Sequence, residues 1–184
     1  GRRRFVNLQT NGQDKETMKR YRAAGVDCHH SNMEVWDKRL FEWINPGKNR
    51  RVGWDGWVRS MIDEVDVFGE GNVRPNFVGG VEMAKPYGFA TVGEAVKSTS
   101  DGVDFMMRNG IIPRFNQWRR EPGSNLVSQH PQPAIPLEYY LQLMGNYYDS
   151  WKKYGLPMPR RECVHPERRI GSGHGTYDDI LLLN

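Results

Sequence analysis

Val26-Asp27-Cys28-His29-His30-Ser31-Asn32-Met33-Glu34 decides how this chain is read. It is a short apolar-to-mixed run that turns polar at its end, as a buried strand does when it leaves a sheet. Working backwards, Gly25 stands where a helix C-cap glycine belongs, after a helical pattern over residues 15 to 24. Before that helix, residues 4 to 8 form an apolar strand that stops at the turn Thr10-Asn11-Gly12. Working forwards, a short helix is expected from Asp37 to Ile44, ending near Pro46-Gly47. Trp54, Trp57, Val58, Met61, Val65 and Phe68 then share one helical face.

The alternation continues to the end of the apolar pattern. Residues 73 to 78 read as a strand closed by Gly79-Gly80, and residues 92 to 106 as an amphipathic helix stopped by Gly110. Residues 111 to 118 are a further strand, followed by a Pro-rich loop through Pro136. Leu137, Leu141, Met144, Tyr148 and Trp151 mark a last helix, ended by Gly155 and Pro157. Residues 160 to 184 are a basic, Gly-rich tail, with one late strand candidate over 180 to 183. Strand and helix in strict alternation imply parallel strands with helical crossovers. The expected fold class is α/β: a partial (β/α) TIM-type barrel of about four βα units over residues 1–159, plus the irregular tail. Such a piece has open sheet edges, which points to further strands N-terminal to Gly1.

Composition narrows the function classes. Of 184 residues, 38% are hydrophobic and 26% charged, a balance that buries a core rather than leaving the chain disordered. No apolar run is long enough for a membrane span. The net charge of +4 comes from scattered clusters such as Arg50-Arg51, Arg119-Arg120 and Arg160-Arg161. Aromatic residues do not alternate with them, so nucleic acid is not the expected partner. Two cysteines, Cys28 and Cys163, fit a reduced, cytoplasmic protein and are too few to hold an iron–sulfur cluster. The chain opens on Gly1 without a methionine, and the expectation is that it begins inside a longer product.

In parallel βα architectures the working groups follow the strands' C-terminal ends. Those positions give Thr10, Asn11 and Gly12; His30, Ser31, Asn32 and Glu34; Gly79, Gly80 and Glu82; and Asn116, Gln117, Trp118 and Arg119. Plainer readings stand beside these. Asn11-Gly12 is a turn signal by itself, Asn32 and Glu34 could cap the following helix, and Gly79-Gly80 could be only a bend. His29 and His30 are neighbours on a strand and point to opposite faces, so they do not share one ion. Cys28 reads as a small buried hydrophobe. No nucleophile–base pair can be read from the sequence.

In order, three segments resemble a known family. Residues 26 to 34 are similar to a strand reading roughly Asp-Tyr-x-x-His-Asn-Leu-Asp/Glu, residues 73 to 82 to Gly-Gly-Ile-Val-Gly-Leu-Gly-Glu, and residues 112 to 126 to Val-Pro-Ile-Asn-x-Leu…Gly-Thr-Pro-Leu. These belong to radical S-adenosylmethionine (SAM) enzymes of the biotin-synthase-like group. The resemblance implies a SAM site formed by Asn11, Asn32, Glu34, Gly79, Gly80 and Glu82, with Arg59 reaching the SAM carboxylate. It implies a small-molecule substrate lined by Arg114, Asn116, Gln117, Trp118 and Arg119. The family's Cys-x-x-x-Cys-x-x-Cys loop is absent. The [4Fe–4S] ligands are therefore expected outside this segment, on an N-terminal half-barrel in cis or in trans, with an electron donor as a further partner. The 184 residues alone are expected to be inactive. Two alternatives remain open: a non-catalytic SAM- or ligand-binding partner subunit, and a metal-dependent barrel lyase or hydrolase using His30 and Glu34.

Overall fold

A computed structural model describes residues 6–157. The first residues of the expected opening strand and the whole 160–184 tail, with Cys163, lie outside the described residues.

The strands are β1 (Asn7–Thr10), β2 (Cys28–Ser31), β3 (Asn76–Gly79) and β4 (Arg114–Gln117). The helices are α1 (Lys15–Ala23), α2 (Lys38–Ile44), α3 (Pro46–Arg51), α4 (Trp54–Phe68), α5 (Val92–Arg108), α6 (Asn125–Gln129) and α7 (Leu137–Tyr154), with a 3₁₀ turn at Val81–Met83. β1 pairs with β2 and β3 with β4, both parallel. Parallel bridges His29↔Val73 and Glu34↔Phe77 join the two pairs, so the strands lie in chain order. The alternating, parallel pattern read from the sequence is the observed one.

Local chemistry explains each boundary. Asp14 caps α1 by accepting the Thr17 N–H at 2.9 Å, and Gly25 leaves the helix at φ +100°. Thr91 and Glu94 form a reciprocal capping box at the start of α5. Asp37 caps α2 by accepting the Leu40 N–H at 2.9 Å, so Asn32 and Glu34 are not the helix caps.

β4 is shorter than the expected run, α6 forms inside the expected Pro-rich loop, and two further changes bear on the site. The third strand is shorter than the apolar run, because Pro75 has no N–H to donate to a ladder. The Asn32 side chain fills the gap, accepting the Asn76 N–H at 3.0 Å between the two bridges. The second change is α3. Pro46-Gly47 was expected to end a helix; instead Pro46 starts a new one, since proline's fixed φ and missing N–H suit the first helical turn.

One sheet face packs on helices. His29 lies against Phe68 of α4 and Tyr21 of α1, and Phe115 against Tyr147 of α7. Met18, Leu40, Phe41, Trp57, Met61, Phe77, Met106, Tyr139 and Leu143 are fully or almost fully buried in this layer. By strand alternation Asn7, Gln9, Cys28, His30, Asn76, Val78, Arg114 and Asn116 share the opposite face.

Candidate functional site

A cavity of about 530 Å³ lies at the C-terminal ends of β1 and β2. β1 and the loop after it contribute Gln9, Thr10, Asn11 and Gln13; the segment after β2 contributes Asn32 and Glu34; helices contribute Tyr21, Lys48 and Trp57. Its position is where parallel βα architectures place ligands.

Glu34 and Lys48 form its charged centre. Glu34 has φ +72°, in the left-handed region that a residue with a Cβ rarely adopts. Its neighbours hold it there: the Glu34 N–H donates to Asn76 O at 3.1 Å and its carbonyl accepts from Val78 at 2.8 Å. A conformation of this kind costs on the order of 1 kcal/mol or more and persists only where the surroundings over-determine it. Here it sets the side chain at the cavity. Lys48 Nζ donates to Glu34 Oε1 at 2.6 Å and to the Asn32 carbonyl at 2.8 Å, and stands 5.3 Å from the centre of the Trp57 ring. The Trp57 indole N–H donates to Ser31 O at 3.0 Å, which fixes the ring's plane. Both charges are only about a quarter exposed, so water screens them less than a surface pair.

Beneath the cavity floor, three groups distant in sequence meet. His29 and Glu64 are both completely buried, with Nδ1 3.2 Å from Oε2. The contact is close but poorly aligned, and neither atom has a well-aligned hydrogen-bond partner among the described residues. On the other side of the ring, His29 Nε2 lies 2.8 Å from Thr10 Oγ1. Ser60 ties the loop above: its hydroxyl accepts the Gln13 N–H at 2.9 Å and donates to Gln13 O at 3.0 Å. Gly12 has no room for a side chain beyond contact, since a Cβ would lie 3.2 Å from Ser60. The neighbouring His30 faces the other way, its Nδ1 2.7 Å from Arg74 O. Burial first, then the positive charge of Arg114, pushes His30 down to about 3, so it is a neutral ring.

The residues expected from sequence divide sharply. Asn11, Asn32 and Glu34 come together at the cavity. Arg59 does not line it; the residue lies exposed on α4, because the inward turn of that helix is taken by Trp57, Val58, Ser60 and Met61. The cation beside Glu34 is Lys48, which sequence reading missed along with α3. Pro46 at a helix start was the available signal.

Gly79, Gly80 and Glu82 also lie outside this cavity. At Gly80, with φ +100°, a Cβ would fall 2.8 Å from Ile135 and 3.0 Å from the Tyr140 hydroxyl. Tyr140 donates to Gly79 O at 3.3 Å. The Glu82 carboxylate is fully buried and takes three internal donors: Gly80 N–H at 2.8 Å, Thr99 Oγ1 at 2.7 Å and Tyr139 Oη at 2.9 Å. Burial raises its pKa, and those hydrogen bonds oppose the rise. On β4, Arg114 and Asn116 are half-buried, and Trp118 is half-buried with its N–H donated to Gly79 O at 2.9 Å. Gln117 and Arg119 are exposed.

No protein-family model matches the sequence. A bacteriochlorophyllide c C-7(1)-hydroxylase from Chlorobaculum limnaeum is 21% identical over 149 residues, which are 80% of this chain and 34% of the relative. The chain thus spans about a third of the length of that relative. Among solved structures, the Escherichia coli coproporphyrinogen III oxidase HemN, a radical SAM enzyme, superposes with a TM-score of 0.56 at 8% identity, over 82% of this chain and 32% of that one. A radical SAM methyltransferase from Sphaerobacter thermophilus superposes with a TM-score of 0.50 at 15% identity, over 83% of this chain and 38% of its own. The fold is shared with radical SAM enzymes. In this chain the cavity occupies the strand ends, and Asn11, Asn32 and Glu34 line it.

Proposed function

We propose that this chain is part of a radical SAM enzyme, the C-terminal portion of its (β/α) barrel, and that the β1–β2 cavity receives the amino-acid end of SAM. The observation that carries this reading is the Glu34–Lys48 pair, an acid and a base side by side at 2.6 Å at the strand ends. The zwitterionic end of SAM presents the complementary pair. Its ammonium meets the Glu34 carboxylate and its carboxylate meets Lys48 Nζ, so one ion pair is exchanged for two without burying net charge. Trp57 covers the ligand with a flat apolar surface. Asn32 keeps the strand end in shape through its bond to Asn76. The ordered segments shared with the biotin-synthase-like group support the same reading.

SAM, when bound in a complete enzyme of this kind, supplies a hydrogen-abstracting 5′-deoxyadenosyl radical. The residues present do not fit the cluster that such chemistry uses. Thiolates are its usual ligands, yet Cys28 is buried inside β2, and no group of three or more His, Cys, Asp or Glu among the described residues is placed to hold a metal. We assign the cluster's ligands to chain outside these residues. The same absence among the described residues leaves the His30–Glu34 metal-enzyme alternative without structural support; His30 binds Arg74 O and Glu34 binds Lys48.

For the substrate, Trp118, Arg119 and Arg120 near the end of β4 suit a flat anion, in keeping with the relative named as a bacteriochlorophyllide c hydroxylase. Calorimetric titration of the intact protein with S-adenosylhomocysteine, which keeps the zwitterion and the adenosine, tests the central claim. Saturable one-to-one binding is expected. No binding, or binding indifferent to Glu34→Gln, overturns it.

A further inference from the structure

Thr10, His29 and Glu64 come from β1, β2 and α4, and only the fold brings them together. Thr10 lines the cavity, while His29 and Glu64 lie behind it with no exposure to solvent. Two completely buried titratable groups in contact are costly to keep unless they are paired or used. Packing on Phe68, with ring centroids 5.6 Å apart and nearly parallel, fixes the plane of His29. The groups facing the ring are Glu64 and Phe68 from α4, the Tyr21 ring from α1 at 5.9 Å and the Thr10 hydroxyl from β1, while neutral His30 points to the opposite sheet face.

The Thr10 hydroxyl has one proton and two neighbours that can receive it, His29 Nε2 and Asn11 O, each at 2.8 Å. With the proton on Nε2, the hydroxyl turns to Asn11 O. With Nε2 bare, the hydroxyl donates to the ring. A hydroxyl with these two settings passes protons readily, and the acid–imidazole–hydroxyl order is that of an activated hydroxyl group.

We propose that Glu64, His29 and Thr10 form a proton relay opening into the cavity, with the Thr10 hydroxyl as the general acid–base group for a ligand that carries a hydroxyl or an amine. In the forward step, Thr10 Oγ1 takes a proton from the ligand's O–H or N–H as its own proton moves to His29 Nε2. The ligand keeps the electron pair of the broken bond. His29 becomes imidazolium and is balanced by the Glu64 carboxylate, which keeps its charge. The reverse step returns the proton. No oxidant or reductant is consumed. Thr10 touches the ligand; His29 and Glu64 are positioning residues that act through it. The 3.2 Å, poorly aligned His29–Glu64 contact is of the sort that tightens once the ring is charged. This relay rests on the cavity being a ligand site, and not on the ligand being SAM.

The decisive measurement is the ring nitrogen shifts of His29, by ¹⁵N NMR of the intact protein labelled at histidine, near pH 7. A relay needs a neutral ring with the proton on Nδ1 facing Glu64 and a bare Nε2. Glu64→Gln is expected to turn the ring over to the Nε2–H tautomer. A ring fixed as Nε2–H, or doubly protonated from pH 5 to 9, overturns the proposal and leaves a structural pin for the β1 loop. Turnover of the reconstituted enzyme gives the second readout. Thr10→Ser should stay within about 3-fold of wild type, whereas Thr10→Val should lose on the order of 100-fold or more. The loss in the valine variant should fall on turnover more than on S-adenosylhomocysteine affinity. Equal activity of the serine and valine variants also overturns the relay. Failure of S-adenosylhomocysteine to bind the wild type strikes the SAM reading alone, because the tautomer result does not depend on it.

Discussion

Glu34 and Glu82 follow successive strands of one sheet at comparable places, and they do opposite work. Glu34 faces a cavity with one cation as partner. Glu82 is sealed inside and saturated by Gly80, Thr99 and Tyr139. The difference is what covers each strand end. Beyond β3, Ile135 and Tyr140 close over Gly80, so the turn becomes core. Beyond β2, α3 stops short and offers only Lys48 and open space. A carboxylate after a strand is thus a site where the next element leaves room, and a staple where it does not.

Removing the staple should have the largest effect. Glu82→Ala leaves three buried donors without an acceptor and should destabilise the fold by about 3–5 kcal/mol, measured by urea denaturation. The pH dependence sharpens the point. A buried carboxyl whose pKa is raised above its ordinary 4.5 takes up protons on folding, so its contribution is fullest below pH 4.5 and declines as pH rises through the raised value. Stability measured against Glu82→Gln should therefore fall as pH climbs above 4.5. Next comes Gly80→Val, which meets both a positive φ and Ile135 at 2.8 Å and should cost about 2–3 kcal/mol; an unchanged Tm would show that the β3 end is looser than described.

At the other strand end the readout is affinity. Glu34→Gln and Lys48→Met should each weaken S-adenosylhomocysteine binding about 10-fold, seen by calorimetry, with little change in Tm. An effect on Tm rather than affinity would make Glu34 a staple like Glu82 and erase the contrast. Smallest of all, Arg59→Ala on the exposed face of α4 should leave binding within about two-fold. A large loss there would return the cation's role from Lys48 to Arg59.

Much of this was legible in the chain. The run from Val26 to Glu34 and its neighbours carried the parallel alternation, and the strand-end rule picked out Asn11, Asn32 and Glu34. It also picked out Gly79, Gly80 and Glu82, because the rule locates an end of the sheet without saying what lies above it. Lys48 escapes a sequence reading because Pro46-Gly47 looks like a helix stop, whereas Pro46 is a helix start. The strand-end rule reaches Thr10, and His29 stands out beside His30, but nothing local joins them to each other or to Glu64: 19 residues separate the first two, and Glu64 looks like any acidic residue on an amphipathic helix.

The sequence by itself determined the order of elements, since hydrophobic period, caps and glycine stops are properties of neighbours along the chain. It also showed that the chain has two cysteines and no Cys-x-x-x-Cys-x-x-Cys loop. The tertiary structure alone decided which acid faces space, which cation answers it, and which histidine meets a carboxylate. Those depend on the packing of α3, α4 and α7 against the strands, where distance through the core replaces distance along the chain.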